Sequence, residues 1–397
     1  MPMPPPAYDL NTPLAEVLTE SVGDVRQRET SALDGILKAH GNRCVMFGCG
    51  TLGRKAISLF REIGVQPVAL TDSDPARWGT AYEGLTVLSP EDAAHRFGAD
   101  AVFFVTIWND HHWYRSTRAK LTSLGCTSVS SYAPIFWRFG GRFMDLLLLN
   151  EPPHRVYQQL DQVLAAETLW ADTESLAIYR ANLISRSLGD SSFFPYPAPA
   201  NTYFPSDIFS ISPEEVIVDC GAFDGDTIRS TLSLVGSDLK AIYAVEADTV
   251  SLEKLHSYLA GLPADVRQKI RELNCAVGET RCTIKFVMAG LLTSTAGDAG
   301  QDVDCVPLDE LFAETHVTFI KMDIEGAEYG ALLGGRRLIQ RDKPILAICV
   351  YHTQNDIWRI PLLVRDFLPQ HKLYLRAYEG DGFQTVLYAV PPERARI

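Results

Sequence analysis

The stretch VIVDCGAFDGDT (residues 216–227) decides the fold. Val216–Cys220 is an apolar run with one acid, the pattern of a strand buried on both faces. A loop of the form D-x-G-x-x-x-G follows, with glycines at Gly221 and Gly225, and a helix-like sequence opens at Asp226. A dinucleotide loop needs three close glycines, so that a pyrophosphate can rest on the helix N-terminus. Here there are two, and Asp219, Asp224 and Asp226 make the loop acidic. It is hostile to pyrophosphate and suits a cationic ligand.

Outward from this loop, strand-like and helix-like segments alternate. AIYAVEAD (241–248), IRELNCAVG (270–278), TIKFVM (283–288), FIKMDIEG (319–326), PILAICVYH (344–352) and TVLYAV (385–390) read as strands. KLYLRAYEGDGFQTVLYAV (372–390) reads as an antiparallel hairpin around Gly-Asp-Gly. A mostly parallel sheet that ends in an antiparallel hairpin is the plan of a class I methyltransferase. S-adenosylmethionine carries no phosphate and presents an ammonium and a sulfonium, which fits the acidic loop. Glu246, about twenty residues on, ends the next strand, where a carboxylate can accept both ribose hydroxyls. Asn274 and Ala276 lie where an adenine would pack, although a plain turn fits them as well.

The N-terminal part carries a second loop. RCVMFGCG (43–50) reads as a strand, TLGRKAISLFREIG (51–64) as a helix with Leu52, Ile57, Phe60 and Ile63 inward, and QPVALTDSD (66–74) and AVFFVTIW (101–108) as further strands. Gly48, Gly50 and Gly53 fit G-x-G-x-x-G, and Asp72 follows Gly53 by 19 residues. Only about a hundred residues are available, so a full six-stranded dinucleotide fold is not expected. Asp72 and Asp74 can stabilise the bend after the second strand as readily as grip a ribose. This loop is a candidate second nucleotide site or a turn that has kept its shape without a ligand.

Composition narrows the function. The 397 residues suggest two domains, and 46% hydrophobic content gives each a core. A net charge of −13 argues against nucleic acid and anionic membrane surfaces as partners. The eight cysteines form no C-x-x-C pair and no zinc spacing, as expected of small buried residues in a reducing compartment. FMDLLLLN (143–150) is the nearest approach to a membrane span and is too short. The proline-rich start lacks signal-peptide features, so a cytoplasmic location is expected.

Six ordered segments now acquire a family. YFPSDIF (203–209) with VIVDCGAFDGDT, then VEAD (245–248), CAVGE (275–279), VPLDEL (306–311), FIKMDIEGAEYGALLGG (319–335) and PILAICVYHTQNDIWRIP (344–361) together resemble the FkbM-type methyltransferases. The N-terminal part resembles a small Rossmann-like domain often attached to such enzymes. The resemblance implies a Rossmann-like fold, S-adenosyl-L-methionine as donor and O-methylation of a sugar, glycan or natural-product hydroxyl. Mapped onto the matching residues, Asp219, Gly221, Ala222, Phe223, Asp224, Gly225, Asp226, Thr227, Glu246, Ala247, Asn274, Ala276 and Asp323 would hold the cofactor.

The acceptor side falls at two strand ends. Asp323 and Glu325 end one strand and His352 the next, where ligands gather in open α/β sheets. Methyl transfer must align the acceptor oxygen and remove its proton, and an imidazole suits that base role. Glu328 falls in a first helical turn, where capping is an equal alternative. A divalent metal is an option but not the favoured reading, and no metal ligand is assigned: Asp323 and Glu325, with Asp356 as a further candidate, could offer oxygens, and His352 would favour a transition metal over Mg²⁺.

The sequence therefore reads as an α/β chain in three parts. These are an N-terminal Rossmann-like domain (1–149), a helical and aromatic connector or lid (150–205) and a methyltransferase domain (206–397), with a homodimer open. Two alternatives stand beside it: an NAD(P)-dependent oxidoreductase working through the first loop, and a non-catalytic cofactor-binding scaffold. Gly221→Val is expected to block the cofactor while leaving the fold largely intact.

Overall fold

The computed structural model describes residues 9–109, 111–144, 151–195, 201–286 and 300–396. Residues 1–8, most of FMDLLLLN, residues 196–200 of the aromatic connector and the end of TIKFVM lie outside these. The chain divides into two units. The first comprises Met1–Glu167, Leu176–Pro197 and Glu379–Phe383, and the second Thr168–Ser175, Ala198–Tyr378 and Gln384–Ile397.

The first unit is built on a six-stranded sheet. Its strands are β1 (Cys44–Phe47), β2 (Ala69–Thr71), β3 (Ala81–Tyr82), β4 (Leu85–Leu88), β5 (Val102–Val105) and β6 (Ser128–Ser131), in the order β3-β4-β2-β1-β5-β6. All neighbours are parallel except β3 and β4. The continuous apolar character of β1 has a direct cause. Cys44 and Met46 face one core with Phe60 and Phe104, while Val45 and Phe47 face another with Phe103 and Tyr114. Six strands are present, but they do not make the full six-stranded dinucleotide fold. The sixth is the two-residue β3, so the parallel set is five strands in dinucleotide order. β4 and β6 were not legible as strands: Leu85–Leu88 alternates over only four residues, and Ser128–Ser131 is nearly all serine.

The second unit holds a seven-stranded sheet, of order β15-β16-β14-β13-β7-β8-β9. Its strands are β7 (Val216–Cys220), β8 (Ala241–Val245), β9 (Ile270–Leu273), β13 (Phe319–Met322), β14 (Ile345–Cys349), β15 (Lys372–Ala377) and β16 (Thr385–Val390). Six of the seven run in one direction; β16 alone is reversed, lying between β14 and β15 and pairing with β15 as the expected hairpin. A three-stranded sheet of β10 (Ala276–Val277), β11 (Cys282–Phe286) and β12 (Gln301–Val306) stands beside it, in the order β10-β12-β11. IRELNCAVG is therefore two strands in two sheets, broken at Asn274 and Cys275. β12 escaped the sequence reading because QDVDCV alternates acids with small apolar residues.

From β7 the chain winds one way through β8 and β9, and from β13 the other way through β14. The topological switch point therefore lies between β7 and β13, where open α/β sheets bind ligands. Cys44, Cys220 and Cys349 are buried in strands, and seven of the eight free cysteines are buried, with Cys282 exposed. No helix among the described residues is long and apolar enough to cross a membrane.

Candidate active site

A cavity of about 340 Å³ opens at the switch point of the second unit. The ends of β7, β8 and β13 form its floor through Gly221, Glu246 and Asp323, and the small sheet adds Ala276, Ile284 and Phe286. Five carboxylates (Asp226, Glu246, Asp248, Asp323 and Glu325) and one ammonium, Lys321, line it.

The loop after β7 is tightly determined. Gly221 sits at φ +82°, and a Cβ there would lie 2.0 Å from the Asp323 carbonyl oxygen. Only glycine fits, for reasons of backbone packing as well as conformation. Gly225 is also left-handed, at φ +90°, and opens the helix Asp226–Val235. Glu246 holds the loop from β8: one carboxylate oxygen accepts from Phe223 N and the other from Asp248 N, both at 2.8 Å. Burial raises the Glu246 pKa, against the pull of those two N–H groups. Each oxygen keeps a lone pair for a ligand hydroxyl.

Several expected cofactor residues act from behind the wall. Asp219 is fully buried and absent from the lining; it stands 3.1 Å from Lys321 Nζ. Burial pushes its carboxyl up to about 6, although Lys321 opposes the shift. Lys321 also donates to the Gly221 carbonyl at 2.6 Å and lies over the Tyr203 ring. Asn274 donates to the Glu246 carbonyl at 3.0 Å, so it positions the acid, while Cys275, Ala276 and Val277 line the cavity. Ala222 and Thr227 are buried, and Asp224 pairs with Arg229, leaving Phe223, Asp226 and Ala247 in the lining.

At the other end, Asp323, Glu325 and His352 come together as the sequence suggested. Glu325, at φ 57°, and Gly326, at φ 99°, turn the chain sharply after β13. His352 is 2% exposed and lies behind the cavity wall, with Nδ1 2.7 Å from Glu328 Oε1 and Nε2 3.2 Å from Asp323 Oδ1. Glu325 Oε2 is 3.8 Å from the same Nε2. Burial would lower the His352 pKa, but Glu328 and Asp323 outweigh it and hold the imidazole protonated. Burial would likewise raise Asp323, yet His352, Lys321 and the Tyr203 hydroxyl hold it well below the usual range. The Tyr203 hydroxyl donates to Asp323 Oδ2 at 2.7 Å. Burial pushes Glu325 up to about 7. Of the two groups, Glu325 lines the cavity and His352 does not. Glu328 is fully buried and accepts from Ile324 N at 2.9 Å. Its role is therefore to fix the turn and face His352, not to meet a substrate.

Asp356 is not part of this cluster; its oxygens accept from Thr353 N and Arg359 Nε. Lys321 and Tyr203 are the site residues the sequence reading missed. A lysine inside the apolar run FIKM was the available signal for the first.

Residues 219–376 match the family model of the methyltransferase FkbM domain. This chain carries an FkbM methyltransferase domain. The methyltransferase FkbM from Methylobacillus flagellatus KT is 22% identical, aligns over 93% of this chain and 99% of its own, and superposes with a TM-score of 0.71. It shares the fold. Two further structures align weakly. UDP-D-quinovosamine 4-dehydrogenase from Vibrio fischeri is 19% identical, over 22% of this chain and 75% of its own (TM-score 0.19). Aeropyrum pernix fibrillarin, solved with natively bound S-adenosyl-L-methionine, is 14% identical over 46% and 69% (TM-score 0.29). At these scores neither bears on function. No curated protein matches the sequence.

The methyltransferase domain has a counterpart loop in the first unit. There Gly48 is at φ +109°, and a Cβ on Gly53 would lie 1.9 Å from the Gly48 carbonyl oxygen. Gly53 thus keeps the helix close to the loop, as in a dinucleotide loop, while a Cβ on Gly48 would meet the Ile107 side chain at 2.7 Å. Gly50 would meet nothing. Asp72 accepts from Cys49 N at 2.8 Å and from Asp74 N at 2.9 Å, and Arg77 stands 3.3 Å from it. Asp74 in turn accepts from Ala76 N. A cavity of about 370 Å³ above the loop is lined by Arg54 and Arg77 with no carboxylate, and Asp72 is outside its lining.

Proposed function

We propose that the protein is an S-adenosyl-L-methionine-dependent O-methyltransferase acting on a hydroxyl of a sugar, glycan or natural product. The observation that carries this reading is the five-carboxylate cavity at the switch point of a methyltransferase domain. A sulfonium and an ammonium gain there what a pyrophosphate would lose. Glu246 would accept the ribose hydroxyls, the Ala276 wall would face the adenine, and Asp226 would lie near the methionine end. The acceptor oxygen would approach Glu325, which takes its proton as the O–CH₃ bond forms and the S–CH₃ bond breaks. His352 would hold Asp323 and Glu325 in place from behind.

The test uses full-length protein, donor labelled in its methyl group, and fractionated sugars and extracts from the source. Base-stable label, as in a methyl ether, is the expected product. Label found only in base-labile esters or on nitrogen would contradict O-alkylation of a hydroxyl. A redox reading of the first loop has less support, because Asp72 already carries Arg77 and stands outside its cavity. Eight free thiols agree with a cytoplasmic location.

A further inference from the structure

Cys282 on β11 and Cys305 on β12 stand directly opposite each other in the antiparallel register of the small sheet. Directly opposed residues send their side chains to one face, with Cα atoms about 4.5–5.5 Å apart. A disulfide needs Cα atoms about 4.4–6.8 Å apart, so this pair can be bridged with the strands where they are. The other strand cysteines oppose different residues. Cys44 faces Val102, Cys220 faces Val245 and Met322, and Cys349 faces Val386.

The two thiols differ in access. Cys282 is the exposed one of the eight cysteines, and Cys305 is 7% exposed. The Cys305 sulfur packs against Gly278, where a Cβ would lie 2.6 Å from it. Burial pushes the Cys305 thiol up to about 11, and contact with the Cys282 thiol adds to the shift. Cys305 is thus sheltered and protonated, while a reagent in solvent reaches Cys282. The position bears on the cavity. Ile284 and Phe286 on β11 line it, as do Ala276 and Val277 on β10, and β12 is the strand between them. A bridge from Cys282 to Cys305 would fasten the edge strand that carries Ile284 and Phe286.

We propose that Cys282 and Cys305 form a reversible thiol–disulfide pair, oxidised by a low-molecular-weight disulfide, which fastens β11 to β12 in the register that builds the cavity wall. The Cys282 thiolate attacks one sulfur of the small disulfide, which forms a mixed disulfide and expels one small thiolate. Cys305 then attacks the Cys282 sulfur, the protein S–S bond forms, and the second small thiolate leaves. Each departing thiolate takes up the proton that its attacker lost. Two protein thiols are oxidised, and one small disulfide is reduced to two thiols.

The test titrates the full-length protein with oxidised and reduced glutathione at a range of ratios and maps the cysteines by peptide mass. One Cys282–Cys305 bridge per chain is expected at the oxidised end, and dithiothreitol should remove it. The bridge should raise the melting temperature of the second unit by about 5 °C, because it ties two strands together in the unfolded chain. Cys282→Ser, at an exposed position, should fold and show neither bridge nor shift. Cys305→Ser should stop at glutathione on Cys282. No bridge at the oxidised end, a bridge from Cys275 instead, or a bridge that lowers the melting temperature would each overturn the proposal.

Discussion

The two glycine loops share a construction and differ in charge. Each follows a central parallel strand and packs a glycine against a backbone carbonyl, at Gly53 and at Gly221. Each is clamped by the acid ending the next strand, Asp72 onto Cys49 N and Glu246 onto Phe223 N, both at 2.8 Å. The cavities diverge. Two arginines and no carboxylate line the first; five carboxylates and one lysine line the second. Glu246 faces its cavity, whereas Asp72 faces Arg77. Loop shape is thus a property of the strand-turn-helix unit, and ligand choice comes from the charges set around it.

Substituting the glycines should separate the loops most sharply. Gly221→Ala forces a Cβ onto the Asp323 carbonyl from a left-handed backbone. We expect a loss of about 3 kcal/mol or more, with donor binding abolished, read by thermal melts and calorimetry. The sequence expectation that Gly221→Val spares the fold is corrected here, since the collision is with the strand end and precedes any ligand. Gly50→Ala, by contrast, meets open space and should cost less than about 1 kcal/mol. Equal losses at both positions would break the comparison.

The clamping acids come next. Glu246→Gln should weaken S-adenosylmethionine binding by about tenfold or more, since a charged acceptor is lost. Asp72→Asn should leave that affinity unchanged. A drop from Asp72→Asn alone would assign the donor to the wrong loop.

Acid stability gives a smaller effect confined to the second unit. Burial raises the Asp342 pKa, but Arg341, the Val317 N–H and His316 outweigh it and hold the carboxyl at about 2. Its folded pKa is depressed, so its contribution is present above about 4 and is lost as pH falls toward 2. Asp342→Asn should cost about 1–2 kcal/mol at pH 7 and almost nothing near pH 2, by calorimetric melts.

The sequence carried the second unit further than the first. Val216–Cys220, Phe319–Met322 and Ile345–Cys349 are buried on both faces, and such runs announce themselves. Short or polar strands such as Ser128–Ser131 depend on neighbours for their pairing and gave no local signal. Asp323, Glu325 and His352 were legible because strand ends in a parallel sheet converge. The behaviour of His352 was not legible: Glu328, which faces its ring, lies in a different segment and looked like a helix-start residue. The burial of Asp219 was not legible for a similar reason, since the partner that holds it inward is Lys321 on the adjacent strand.

The most direct measurement is paired calorimetry on the full-length protein, titrated with S-adenosyl-L-methionine and separately with NAD⁺. One donor molecule per chain should bind, with binding lost in Gly221→Ala and retained in Gly50→Ala, and NAD⁺ should give no heat. Saturable NAD⁺ binding without S-adenosyl-L-methionine binding would contradict the assignment of the acidic loop as the working site.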